Sequence, residues 1–104
     1  MDEQQVKEEM AAKGLTAPSV TIDRINDVIV GEDYYVFPDT TVTVCCLKLE
    51  NGFSVTGESA CADPRNFDAE IGRKIAKQVA RDKIWALEGY LLREKLLLAE
   101  KLGM

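Results

Sequence analysis

The chain has 104 residues, a formal charge of −5 and no histidine. That length makes one domain with a modest core and is too short for two domains with a cleft between them. The absence of histidine removes Ser-His and Cys-His nucleophile pairs, the usual neutral-pH general base and the commonest zinc ligand. At 46% apolar and 30% charged the composition is globular, and no apolar run reaches the roughly 18 to 20 residues of a membrane span. The acidic start MDEQQVKEEM has neither the basic segment nor the apolar core of a secretory signal, so a cytoplasmic protein is expected. Cys45, Cys46 and Cys61 are odd in number and lack CxxC spacing, which reads as reduced thiols rather than a disulfide framework or a metal site.

Charge is unevenly distributed. Residues 1–68 carry 13 Asp and Glu against 5 Lys and Arg, net −8, whereas residues 69–104 carry 5 against 8, net +3. In one small domain such a split stitches the halves together, stitches two copies together, or marks an anion-binding surface.

In chain order, residues 1–14 predict a short helix stopped at Lys13-Gly14, with Val6 and Met10 as a narrow apolar stripe. After the linker 15–19, residues 20–31 predict a helix capped by Thr21, with Ile22, Ile25, Val28 and Ile29 at helical spacing and Gly31 ending it. A strand is the alternative there, because Val20, Ile22, Val28, Ile29 and Val30 are β-branched. Residues 33–58 predict an antiparallel meander of about three strands: the Tyr34–Phe37 run, Thr41–Leu49, and Phe53–Thr56 after a tight primed turn at Asn51-Gly52. Three short strands are marginal alone and need a cover on one face.

Residues 66–102 predict a long helical region starting near Ala69, capped by Asn66 or Asp68 and interrupted at Gly89. Unbroken, it would run roughly 50 Å, so a break at Gly89 or a second chain against it is expected. Leu91, Leu92, Leu96, Leu97 and Leu98 give more apolar surface than the far end of a small monomer buries, which predicts a homo-oligomer. The fold class expected is α+β, a short meander packed with a long C-terminal helical region and short N-terminal helices.

On the long helix Arg73, Lys77 and Arg81 fall on one stripe at i, i+4 and i+8, with Ile75, Ala76 and Val79 largely opposite. A solvated face is the ordinary explanation of such a run. The functional one is a phosphate or carboxylate site, in which Arg offers a bidentate fork and Lys a point charge. A pI near 4.7 argues against a nucleic acid polymer and for a small anion held locally. The seven aromatic residues are read mainly as core, except that Phe53 follows the turn at a sheet end, where a ring can stack on a base.

The segments TVTVCCLKLENGFSVTGESACADP (Thr41 to Pro64) and NFDAEIGRKIAKQVARDKIWALEGYLLREKL (Asn66 to Leu96) resemble a family of small proteins of tailed phages and prophages, over roughly residues 20 to 98. That family includes anti-Thoeris sponges, which bind the cyclic ADP-ribose variant made by a bacterial immune TIR enzyme; some members also hold cyclic oligonucleotide signals. The resemblance implies a non-enzymatic, homo-oligomeric protein of the host bacterial cytoplasm that needs no cofactor or metal and sequesters such a nucleotide signal. Chemistry and position then nominate Arg73, Lys77 and Arg81 for phosphates, Phe53 and Arg24 for stacking, and Asn51 and Asn66 for polar contacts. The reading from a different class is a protein-interaction module built on the acidic front and the leucine-rich tail. A signal-degrading enzyme is the third, disfavoured because no acid/base machinery is visible.

Overall fold

The computed structural model describes residues 2–103 and shows an α+β protein. Its elements are α1 (Glu3–Ala12), α2 (Ile22–Val28), β1 (Ile29–Val36), β2 (Thr43–Leu49), β3 (Ser54–Ser59), a single 3-10 turn (Pro64–Asn66) and α3 (Ala69–Lys101). The strands form one antiparallel sheet in the order β1-β2-β3, as the meander predicts. Residues group into two compact units, one made of the segments up to Asp27 and from Trp85 onward, the other Val28–Ile84.

In the first unit, α1 begins with a capping box. The Asp2 carboxylate accepts from the Gln5 backbone N–H at 2.8 Å, and the Gln5 side chain accepts from the Asp2 N–H at 3.0 Å. The helix ends where Gly14 takes φ +69°, the left-handed conformation that glycine adopts without a Cβ clash. No residue of α1 is buried, and the Trp85 indole N–H donates to Glu3 at 3.0 Å. Thr21 caps α2 by accepting from the Arg24 N–H at 3.1 Å. Ile25 is fully buried.

The helix expected over 20–31 is shorter than that. It stops at Val28, and Ile29, Val30 and Gly31 open β1 instead. The Val28 carbonyl accepts from the Glu50 N–H and Ile29 pairs with Leu49, so the β-branched run is drawn into the sheet; the register shifts between Ile29 and Gly31, a bulge that leaves Val30 outside the ladder. The β2–β3 connection is also not a two-residue primed turn. Only Gly52 has positive φ (+90°), its N–H donates to the Leu49 carbonyl, and the Leu49 N–H donates to Phe53 O; this is a three-residue loop with a left-handed glycine.

The second unit places α3 across the sheet. Burial alternates along β2, with Thr43, Cys45, Leu47 and Leu49 inside, and Val55 and Gly57 continue the same face on β3. Fully burying a side chain such as Leu47 stabilises the fold by about 1.5–3 kcal/mol. Against this face lie Ala76, Ala80 and Ile84, each with no exposed surface. Gly57 lets the helix backbone approach the strand: a Cβ there would overlap Ala80 N and Ala76 O. At the other end the Ser59 hydroxyl donates to the Gly72 carbonyl at 2.8 Å, and a Cβ at Gly72 would come within 2.9 Å of Thr43 Oγ1.

For α3 the interruption at Gly89 is corrected, and of the two caps expected one is selected. The helix runs through Gly89 without a break for 33 residues, a length of about 50 Å. Its cap is Asp68, which accepts from the Ile71 N–H at 2.9 Å, whereas Asn66 belongs to the preceding 3-10 turn. The apolar side of its first half also divides differently: Ala76 is buried, but Ile75 and Val79 are 50% and 38% exposed. Close approach selects the small side chains for the sheet and leaves the larger ones outside. Nor do the aromatics make the core. Tyr35, Phe37, Phe53 and Tyr90 are exposed, and Tyr35 and Phe37 pair edge to face at 4.9 Å.

Candidate functional site

Lys77 reaches from the middle of the basic stripe to β1. Its ammonium lies 2.9 Å from Glu32 Oε2, and the Tyr34 hydroxyl donates to the same oxygen at 3.1 Å. Glu32 and Tyr34 are two residues apart on one strand and therefore share a face, and the small-residue contact at Gly57 fixes the helix above them. The hydrogen bond from Lys77 holds the Glu32 carboxyl below its ordinary range. Burial, reinforced by the bond to Glu32, pushes the Tyr34 hydroxyl well above its usual value, and burial likewise raises the Cys45 thiol. At neutral pH Glu32 is therefore a carboxylate, Tyr34 a phenol and Cys45 a thiol. Tyr34 is a donor there and Cys45 is protonated, so the arrangement presents an amine and a hydroxyl to one carboxylate oxygen and no thiolate.

The residues nominated from sequence are distributed over both units. Arg73 is exposed, while Lys77 and Arg81 are half-buried, one and two turns further along α3. Asn51 and Phe53 lie at the β2–β3 loop, where the Asn51 side chain accepts from the Phe53 N–H at 3.0 Å and Phe53 is 57% exposed. That loop follows the Lys48–Ser54 pair, whereas Gly72 beside Arg73 meets Thr43 and Ser59 at the opposite end of the ladder. Five residues of strand make this separation about 16 Å. Arg73 and the loop are thus not brought together within the sheet-and-helix unit. Asn66 is exposed within its 3-10 turn, its N–H donating to the Asp63 carbonyl. Arg24, in the other unit, pairs through Nε with the buried carboxylate of Glu88.

Sequence reasoning passed over Glu32, Tyr34 and Glu88. The i, i+2 placement of Glu32 and Tyr34 on a strand signalled that they share a face, but nothing local named Lys77, 45 positions away, as their partner. Glu88 sits among Ala, Leu and Gly in the helix, where a lone carboxylate reads as solvent-facing.

A cavity of about 440 Å³ in the first unit is lined mainly by apolar atoms, with Val6, Met10, Leu15, Val20 and Trp85 among its walls. A shallower one of about 430 Å³ lies beside the β1–β2 turn, against Val42, Cys61, Pro64 and Phe67. None of the nominated residues lines either. Among the described residues no group of three His, Cys, Asp or Glu side chains is placed to hold a metal ion, and no helix is long and apolar enough to cross a membrane.

Residues 20–96, most of the chain, match the model of the phage protein (N4 Gp49/phage Sf6 gene 66) family. The chain belongs to that family. The matched span holds all three strands and most of α3 of this phage protein, together with every nominated residue, while α1 lies outside it. No curated protein and no solved structure matches the chain.

Proposed function

We propose that this phage protein binds a cyclic ADP-ribose-type immune signal and holds it without degrading it, with cyclic oligonucleotide signals as further ligands. It acts as a homo-oligomer in the host bacterial cytoplasm and uses no cofactor. One observation carries the reading: Arg73, Lys77 and Arg81 stand one turn apart on a helix held rigidly against the sheet, and Lys77 already grips a carboxylate oxygen. Cations at about 6 Å intervals suit a pyrophosphate better than a single carboxylate. The separation of Arg73 from the loop that carries Asn51 and Phe53 is compatible with a pocket completed by a second copy, and Tyr90, Leu98 and Leu102, 71%, 57% and 61% exposed, offer apolar surface for one.

The test incubates the protein with cyclic ADP-ribose isomers, removes unbound material, heat-denatures, and analyses what is released. Intact ligand supports sequestration, altered ligand indicates an enzyme, and no retention refutes the proposal. Arg73→Ala with Lys77→Ala should abolish ligand-induced thermal stabilisation at unchanged oligomeric mass. Wild-type binding by that double variant removes the ridge from the site. A second reading, a protein-interaction module, draws on the exposed line Ile71, Ile75 and Val79, at 56%, 50% and 38% exposure, and is favoured if no nucleotide is retained.

A further inference from the structure

The Lys77–Glu32–Tyr34 cluster has the stereochemistry of an occupied anion site. One carboxylate oxygen accepts from two donors on different elements, an ammonium at 2.9 Å and a phenol hydroxyl at 3.1 Å. Two donors converging on one oxygen make a subsite for an oxyanion, whoever supplies that oxygen. Here the supplier is a side chain on the edge strand β1, and both it and Lys77 keep 42% of their side-chain surface open to solvent. The seat can therefore be reached from outside, and its present occupant can swing away without disturbing the core.

We infer that Lys77 and Tyr34 form a phosphate subsite whose resting occupant is the chain's own Glu32 carboxylate, so that a phosphate-bearing ligand binds by displacing Glu32. This rests on the anion-binding reading of the α3 ridge and adds to it a third recognition residue, Tyr34, and an internal competitor, Glu32. A phosphate oxygen takes the place of Oε2 and accepts from the same two donors, while the ligand's remaining charge faces the cations one turn away on either side. Glu32 thereby acts against weakly charged anions. A free carboxylate gains little by replacing another carboxylate, whereas a di- or triphosphate-type anion gains contacts that Glu32 cannot make. An aromatic hydroxyl is a suitable second donor here because Tyr34 stays protonated well above physiological pH.

The probe is inorganic pyrophosphate, titrated by calorimetry into the full chain at constant ionic strength and pH 7.5. Glu32→Gln removes the competing charge while keeping an acceptor for Tyr34, and should tighten pyrophosphate binding about five-fold, the upper range for releasing a half-exposed ion pair. Tyr34→Phe should weaken it about three-fold or more. Equal or weaker binding by Glu32→Gln, or no effect of Tyr34→Phe, overturns the inference. A readout independent of any variant comes from carboxyl NMR of the wild-type protein: at saturating pyrophosphate the Glu32 titration should move up toward the ordinary carboxylate value as Lys77 leaves it. An unmoved titration overturns the inference. Retention of cyclic ADP-ribose by the wild-type chain is scored separately. Retention with no Glu32→Gln gain refutes the displacement alone, and loss of both refutes the ridge as well.

Discussion

Adding one carbon at Gly57 tests how the helix is held on the sheet. Gly57 is buried on β3, and a Cβ there would overlap Ala80 N and Ala76 O and come within 2.9 Å of Ala80 Cα. These are main-chain atoms of a hydrogen-bonded helix, so no rotamer change relieves the overlap and α3 itself must lift. Inserting atoms into a packed core typically costs about 1–3 kcal/mol, and a backbone clash belongs at the upper end. Taking about 3 kcal/mol, and about 4–8 °C of melting temperature per kcal/mol for a domain of this size, Gly57→Ala should lower Tm by about 12–24 °C. The assay is thermal unfolding followed by circular dichroism at 222 nm, with Gly89→Ala as the control, because a Cβ at Gly89 meets nothing within 4 Å. A Gly57→Ala protein melting within about 2 °C of wild type would refute the close approach of α3 to β3, and with it the rigid mounting of the basic ridge.

Two further outcomes follow from buried groups. Arg24→Ala strips the partner from Glu88, whose side chain is 8% exposed, and leaves an uncompensated carboxylate. Because Arg24 is itself 39% exposed, the cost falls below the full value for a buried pair, at about 2 kcal/mol, or about 8–16 °C in Tm. A variant that melts normally would show that the Arg24–Glu88 pair does not hold the fold. Among the thiols, Cys45 is fully buried with its ionisation pushed up, while Cys46 and Cys61 are half-buried. A colorimetric thiol reagent at pH 8 should modify at most two of the three cysteines in the native protein and the third only on denaturation; rapid labelling of all three would contradict the buried face of β2.

What the sequence made legible was periodic and local. The strand-forming run of β2, the cap at Thr21, the glycine stop of the first helix and the helical spacing after Ala69 all follow from nearest neighbours along the chain. The errors came where long-range pairing overruled local preference. Ile29 left a helical pattern because Leu49 offered it a strand partner, with Glu50 bonding the Val28 carbonyl beside it, and Gly89 stayed helical although isolated glycine weakens a helix. Asn66 and Asp68 are both good caps, and only the fold decides that Asp68 serves. For the site, the cationic stripe was visible as a spacing, but its counter-charge was not. Glu32 and Lys77 are joined by tertiary structure alone, and so are Arg24 and Glu88.

The tight seating of α3 on Gly57 also governs which substitutions this chain can accumulate. At Gly57, Ala76 and Ala80 the limiting quantity is volume, not hydropathy. Alanine to serine adds a single small atom, whereas alanine to valine, conservative on any hydropathy scale, forces helix and strand apart. Selection along this line therefore filters by size, and it leaves the outward positions of the same helix at liberty. Arg73, Lys77 and their neighbours can change in charge and reach while the platform beneath them keeps its height, which separates the evolution of what the helix binds from the evolution of how it is held.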